Sequence, residues 1–327
     1  MRDWIVCCGC SIATTCGGAD IPNIVANVAR RRRAAIHHFP GQSVPTRKSR
    51  IITITTVLAV SAATLGAHDT WLLADRGFVP VGGRVTFEMS SGGHFPANES
   101  AITPDRVSTS GWRLAGVAHA LTPGRMGTGS LRFRETMPAA GVAMTWVSLH
   151  PRVLTLKSSL VKEYTDEIGA PSEFYSTWLR ATDKTWRERY SKHAKSFVRV
   201  GANPTDSSWA VHTGQPYELV PLRNPTSLTT GDSLPILVLH CGQPLANVAV
   251  GSESGTAGHG AIVKTDAAGK AHIMFSKSGR WLVNSTYLAV ANRAGTPCES
   301  ALPGDTVAVG YVSQFATMTL DVAKRRR

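Results

Sequence analysis

Along most of this chain, hydrophobic positions alternate with polar ones at a period of two. The clearest examples are RVTFEM at residues 84–89 and VAMTWVSL at 142–149, and clusters of Gly, Pro and Ser separate such runs. This pattern predicts short β-strands joined by turns. Further runs of this kind lie at 112–117, 217–221, 234–239, 246–250, 262–265, 271–275, 281–289 and 306–312. The chain is therefore predicted to be mainly β.

A different spacing appears between residues 158 and 202. Aromatic and aliphatic residues recur there at intervals of four, which predicts short helices that pack one face against a sheet. The recurring residues are Leu160, Tyr164 and Ile168, then Phe174 and Trp178, then Trp186, Tyr190 and Ala194.

These patterns divide the chain into two antiparallel β-sandwich domains with a small helical insert between them. The N-terminal β domain is predicted over 68–157, the insert over 158–202 and the C-terminal sandwich over 203–323. Asp266-Ala-Ala-Gly269 is predicted to form a hairpin turn between two strands of the C-terminal domain. Residues 324–327 form a basic tail.

The first 67 residues are predicted to lie outside the fold. The basic segment RKSR at 47–50 precedes an uncharged stretch, 51–67, that ends in Leu-Gly-Ala. A basic segment, a short apolar stretch and small residues at the cut are typical of a secretory signal peptide. We expect cleavage after Ala67, export, and no stable membrane anchor afterwards. A membrane anchor and a buried helix are the alternative interpretations of this stretch.

The position of this signal suggests a misplaced start of translation. No Met lies between Met1 and Met89, and a start at Val44 would give a signal peptide of ordinary proportions. We therefore expect residues 1–43 to precede the natural start.

Net charge argues against a nucleic-acid partner. The chain carries a formal charge of +13, of which residues 1–67 contribute +6 and residues 324–327 contribute +4. Residues 68–323 carry only +3. Phosphate binding requires a clustered basic face, which so balanced a segment does not supply.

Cysteine usage agrees with export. Four of the six cysteines lie in the leader, at positions 7, 8, 10 and 16, and no second pair or His completes a metal-binding knuckle there. The exported part keeps Cys241 and Cys298. In an oxidising compartment two remaining thiols are expected to pair, which would stabilise the fold by about 4 kcal/mol in the loop-entropy model.

Signatures of enzymes are absent from the sequence. The chain contains no GxSxG elbow, no HExxH helix and no phosphate-binding loop. We therefore predict a protein that is not an enzyme. A copper oxidase with an amino-terminal His would carry none of these motifs, and it stays a third hypothesis.

Several ordered blocks resemble one exported bacterial family, the domain of unknown function 4198, which is linked by name to nickel transport. RERYSKHAKSFVRVG at 187–201 is similar to the family's "RERYS..AK..VRVG" block. YELVPLRNP at 217–225 and TDAAGKA at 265–271 match later blocks, and AHDTWL at 67–72 matches the family's mature start. One departure is Ser285-Thr286, where the resemblance leads us to expect another His.

This resemblance implies a periplasmic protein with immunoglobulin-like or transthyretin-like sandwiches. It also implies a metal as ligand and a component of a membrane transporter as a partner. Fold-level likeness of this kind explains architecture and does not establish chemistry.

His68 is the first candidate metal ligand. After cleavage at Ala67 it would offer an imidazole and an α-amine from one residue, a chelate suited to Ni(II) or Cu(II). Asp69 follows and would add a carboxylate or orient the ring. His94, in the loop SSGGHFP at 90–96, is the second imidazole. Weaker candidates are His119, His150, His240 and His259.

Two functions from different classes follow from these residues. The first is an exported metal-handling or transport-accessory protein that binds nickel or another divalent transition metal. The alternative is a cell-envelope interaction module with immunoglobulin-like sandwiches and no metal. Metal content of the processed protein separates the two.

Overall fold

The computed structural model describes residues 68–202, 205–291, 298 and 308–326. The predicted leader, signal peptide and start of translation lie outside these residues. Within the described part of the chain, no helix is long and apolar enough to cross a membrane.

Strands dominate the described residues, which confirms the mainly β prediction. The strands of the first half are β1 (Asp69–Ala74), β2 (Phe78–Val79), β3 (Arg84–Gly92), β4 (Ser100–Ala101), β5 (Val107–Leu114), β6 (Val117–His119), β7 (Arg125–Met126), β8 (Leu131–Thr136), β9 (Gly141–Leu149), β10 (Arg152–Leu156) and β11 (Trp186–Val200). Those of the second half are β12 (Tyr217–Pro221), β13 (Ser233–His240), β14 (Gln243–Pro244), β15 (Ala249–Ser254), β16 (Gly258–His259), β17 (Val263–Lys264), β18 (Lys270–Met274), β19 (Gly279–Val290) and β20 (Tyr311–Val322).

The helices lie between β10 and β11. They are α1 (Val161–Glu167) and α2 (Ser172–Arg180), and short 3-10 turns occur at Pro104–Arg106, Ser158–Leu160, Ser208–Ala210 and Pro225–Ser227. Both α-helices carry the predicted apolar stripe, and Tyr164 and Trp178 are buried in one cluster with Trp186 of β11.

Three sheets build the part of the chain that the structure describes. The central sheet has the order β16-β15-β19-β20-β11-β9-β5-β6, with β17 on β15 and both β2 and β10 on β11. A first outer sheet has the order β1-β3-β8-β7, with β4 on β3. A second outer sheet joins β12, β13 and β14, with β18 on β13. Neighbouring strands are antiparallel, except that β11 runs parallel to β2 and to β20.

Alternate residues of the central sheet enter two different cores. Ala143 and Val147 of β9 pack in a cluster with Phe87 of the first outer sheet. Met144 of the same strand packs with Ile236 of the second outer sheet. Because successive side chains of a strand point to opposite faces, the central sheet serves both cores at once.

This shared sheet changes the predicted domain organisation. Strands from before residue 158 and from after residue 203 belong to the same central sheet. The proposed boundary at 158–202 therefore does not separate one set of sheets from another.

The predicted helix at residues 186–194 is wrong, because these residues lie in β11. Trp186, Tyr190 and Ala194 are four positions apart, and an interval of four places side chains on one face of a strand as well as of a helix. The spacing alone could not distinguish the two.

The predicted hairpin around residues 266–269 is half right. Asp266 Oδ1 accepts hydrogen bonds from the backbone N–H groups of Ala268 and Lys270, so the turn forms. The flanking strands do not pair with each other, because β17 pairs with β15 and β18 pairs with β13. The turn carries the chain from the central sheet to the second outer sheet.

Candidate functional site

The first residue of β1, Asp69, lies where the first outer sheet meets the central sheet. β1 pairs with β3 so that Asp69 is opposite Gly92, the last residue of β3. Hydroxyl groups of β20 fix β1 in place: Thr317 Oγ1 donates to the carbonyl of Thr70 at 2.6 Å, and Thr319 Oγ1 donates to that of Leu72 at 2.5 Å. These two bonds tie β1 to β20 next to Asp69.

Asp69 lines a pocket of about 220 Å³, which we call the Asp69 pocket. Its walls come from the end of β3, the end of α1, β15, the strand β16 and the middle of β19. The polar and charged residues of this lining are Asp69, Glu167, Ser252, Glu253, His259, Asn284, Ser285 and Thr286.

Asn284 of β19 reaches Asp69 because a glycine lies beside it. Asn284 Nδ2 donates to Asp69 Oδ2 at 2.6 Å. Gly251 of β15 is opposite Asn284 in the ladder, and a Cβ added at Gly251 would lie 2.5 Å from Asn284 Oδ1. Glycine at 251 therefore leaves the space that this amide occupies.

Two carboxylates in this pocket are held in an unfavourable environment. Burial raises the pKa of Asp69, against the hydrogen bond from Asn284 and the charge of Lys192. Burial also raises the pKa of Glu253, where the imidazole of His259 opposes the shift and the charge of Asp69 adds to it. Both groups would be stabilised as anions by an additional positive charge.

The imidazole of His259 lies on the strand next to one of these carboxylates. It lies on β16 directly opposite Glu253 of β15, and cross-strand neighbours have Cβ atoms about 5 Å apart. The short strand β16 leaves His259 exposed at the sheet edge. Glu253 and His259 can therefore approach the same bound ion.

Lys192 supplies the positive charge already present near Asp69. Its ammonium group donates to the backbone carbonyl of His68 and to Thr70 Oγ1. Burial lowers the pKa of Lys192 to about 8, against the attraction of Asp69. Lys192 of β11 thus compensates part of the negative charge of Asp69.

The predicted ligands His68 and His94 lie beside this pocket. A Cβ added to Gly93, a pocket residue, would be 4.0 Å from the ring of exposed His68. His94 is also exposed, and its Nδ1 lies 2.8 Å from Glu99 Oε1. Phe95 is buried with Trp71 and Leu282, which anchors the loop that carries His94.

Within the described residues, the donor atoms of His68, Asp69 and His94 do not gather within 4.8 Å of one another, and neither do those of Asp69, Glu253 and His259. Sequence reasoning placed these three residues near one site but did not single out Glu253 or Asn284. The one available signal was the departure at Ser285-Thr286, because the structure places both residues in the pocket lining.

Cys241 and Cys298 are joined in a disulfide, with Cα atoms 5.4 Å apart. Cys298 also lines a second cavity of about 520 Å³, together with the strand residues His193 and Gln314. His193 is buried on β11, and its Nδ1 and Nε2 lie 3.0 Å from Ser148 Oγ and 3.3 Å from Ser191 Oγ. Burial lowers the pKa of His193 to about 4.

Fold and pocket together define a mainly β protein with an acidic, histidine-edged pocket at the junction of two sheets. The chain belongs to the family described as a domain of unknown function (DUF4198), whose model matches residues 65–289. A comparison with curated proteins finds no match.

The solved structures that match this chain are distant. The Escherichia coli adhesin FdeC is 13% identical, with a TM-score of 0.20, over 80% of this chain and 64% of its own. Salmonella alpha-2-macroglobulin is 8% identical, with a TM-score of 0.20, over 77% of this chain and 14% of its own. The mouse nectin-like molecule 4 ectodomain (Ig1–Ig3) is 10% identical, with a TM-score of 0.18, over 79% of this chain and 65% of its own.

Proposed function

We propose that this chain is an exported periplasmic protein that binds a divalent transition metal in the Asp69 pocket and serves a membrane transporter as an accessory. The observation that carries the proposal is that Asp69 and Glu253 line the same pocket, where burial raises the pKa of both carboxyl groups. A cation between them would offset the cost of burying like charges.

The donor types of the pocket fit such an ion. Carboxylates of Asp69 and Glu253 supply oxygen, and the imidazole of His259 supplies nitrogen. Imidazole suits Ni, Cu and Zn, while carboxylates alone would favour Mg or Ca. The mixed set therefore fits a divalent transition metal, and Ni(II) and Cu(II) are among the ions that it suits.

Export would add further ligands at the edge of the Asp69 pocket. Cleavage after Ala67 would free the α-amine of His68, which lies next to Asp69 at the start of β1. The amine and imidazole of one residue form a chelate, and His94 on the neighbouring loop would add a second imidazole. In this account the processed protein binds metal more tightly than the precursor.

Isothermal titration with Ni(II) tests the proposal. The form that begins at His68 is expected to bind one ion, and Glu253→Gln is expected to weaken binding at least tenfold. Glu173→Gln removes an exposed carboxylate of α2 outside the pocket and should leave the affinity unchanged. A form that retains Ala67 should bind more weakly than the processed form.

The alternative function predicts the opposite result in this titration. An envelope interaction module with immunoglobulin-like sandwiches and no metal would show no binding by any of these forms. Equal affinities for wild type and Glu253→Gln would also contradict a site in the Asp69 pocket.

A further inference from the structure

A tight turn between β13 and β14 carries a cysteine at an unusual backbone position. The turn consists of Cys241 and Gly242, with φ values of 50° and 74°, and the flanking His240 and Gln243 are paired. Two left-handed residues define the type I′ hairpin turn, which favours Asn, Asp or Gly at both positions. Cysteine in this conformation is strained, and strained residues of this kind concentrate at functional sites.

Three soft donor atoms meet at this turn. The side chains of His240, Cys241 and Cys298 each offer one donor, and these atoms all lie within 4.8 Å of one another. Among the residues that the structure describes, this is the group of three potential metal ligands whose donor atoms lie so close together.

One of the distances already matches that of a tetrahedral metal site, and the two bonded sulfur atoms must separate on reduction. His240 Nε2 lies 3.7 Å from Cys241 Sγ. Bond lengths of about 2.3 Å to sulfur and about 2.0 Å to nitrogen place neighbouring ligand atoms about 3.6 Å apart around zinc. The pair therefore already has the separation that one shared metal ion requires.

The imidazole of His240 is held at this place by aromatic rings. It stacks on Tyr287 of β19 with ring centroids 4.0 Å apart and makes an edge contact with Tyr217 of β12. Tyr217 is itself fixed by a hydrogen bond of 2.6 Å between its hydroxyl and Ser285 Oγ. Such support restricts the ring to a position beside Cys241.

The cluster is also accessible. His240, Cys241 and Cys298 are all half-buried, and Cys298 lines the cavity of about 520 Å³. A small reductant or an additional ligand can therefore reach the sulfur atoms from that side.

We propose that reduction of the Cys241–Cys298 disulfide converts this turn into a transition-metal site with the ligands His240, Cys241 and Cys298. A dithiol reduces the bond: its two thiols are oxidised to a disulfide, and their two protons pass to the sulfur atoms of the protein. A divalent metal then displaces both protons to solvent and binds two thiolates and one imidazole. Three protein ligands leave a fourth position for water or a small ligand.

This site differs from the Asp69 pocket in its residues and in its chemistry. Thiolate ligands select zinc or copper(I), whereas the carboxylates of the Asp69 pocket are oxygen donors. The inference does not rest on the proposed function, and either site can fail without the other.

Titration with Co(II) as the probe tests the inference. The form that begins at His68 has Cys241 and Cys298 as its two cysteines, and it is reduced with a phosphine and kept free of oxygen. It is expected to bind one Co(II) through thiolates, with a thiolate-to-cobalt charge-transfer band in the near ultraviolet. The oxidised chain should show no such band. His240→Gln should weaken this binding at least tenfold, whereas His272→Gln, an exposed imidazole on the neighbouring strand β18, should not change it.

Two further variants show whether the cobalt binds at this turn or in the Asp69 pocket. Asp69→Asn should leave the charge-transfer band unchanged, and Cys298→Ser should reduce its intensity because one thiolate is lost. Absence of the band in the reduced wild type would overturn the proposal, as would equal affinities for wild type and His240→Gln. If reduction abolishes the near-ultraviolet circular dichroism and Co(II) does not restore it, the reduced fold provides no site and the proposal is also wrong.

Discussion

Two carboxylates in this molecule are withdrawn from water in different ways. Glu218 of β12 is buried beside Lys195 of β11, whose ammonium group donates to Glu218 Oε1 at 2.5 Å, and the backbone and hydroxyl of Thr213 donate to the same oxygen. Asp69 receives one side-chain hydrogen bond, from Asn284, and faces a pocket. The first carboxylate is fully partnered, and the second is partly compensated.

The consequences for ionisation are opposite in sign. Lys195 and the donors of Thr213 hold the pKa of Glu218 below its ordinary value in spite of burial. At Asp69 burial dominates, so the pKa is raised. Removing either member of a buried ion pair destabilises the fold, so this pair serves the structure. A carboxylate without a full counter-charge beside a cavity can instead bind a cation.

Breaking the partnered pair is expected to have the largest effect. Lys195→Met leaves the Glu218 charge buried without its counter-ion, which should lower the free energy of unfolding by about 3–5 kcal/mol. Urea denaturation followed by circular dichroism measures this change. The double variant Lys195→Met, Glu218→Leu should recover most of the loss, and a loss as large as in the single variant would contradict the account.

Acid should destabilise the fold through His193, a buried group that is neutral. Its pKa is lowered from 6.5 to about 4, so the unfolded chain binds a proton in that window and the folded chain does not. Stability should therefore fall as the pH drops from about 6.5 to 4, by on the order of 3 kcal/mol. In His193→Gln this part of the pH dependence should vanish; an unchanged slope would contradict a buried neutral imidazole.

Variants of the two carboxylates, measured without metal, sharpen the comparison through the sign of their effect on stability. Because the pKa of Glu218 is lowered, its contribution is present above pH 4.5 and is lost as the pH falls through the folded-state value. Because the pKa of Asp69 is raised, its ionisation costs stability as the pH rises above 3.8. At pH 7 Glu218→Gln should therefore destabilise the fold, while Asp69→Asn should stabilise it slightly. If both variants shift the melting temperature in the same direction, this assignment is wrong.

Much of the fold could be predicted from local pattern. Strands such as β3, β9 and β13 follow from alternation, and α1 and α2 follow from a spacing of four. The strand β11 could not be distinguished from a helix, because its aromatic residues also lie four apart. The shared central sheet could not be predicted either, since pairing between β11 and β20 joins residues more than 100 positions apart.

Of the candidate site, only the part contributed by β1 could be predicted from the sequence. Asp69 follows directly from the position of the expected cleavage, and the structure places it in a pocket. Glu253, His259 and Asn284 come from strands whose register against β1 is a property of the assembled sheets. Their convergence has no local signature, and only the departure at Ser285-Thr286 pointed toward this part of β19.

A crystal structure of the processed protein soaked with Ni(II) tests the central claim most directly. Anomalous scattering from nickel locates the ion independently of any assumption about its ligands. The account predicts one strong peak in the Asp69 pocket, within bonding distance of the Asp69 and Glu253 carboxylates. A pocket without a peak, or nickel bound only at His94 and Glu99 on the exposed loop, would contradict it.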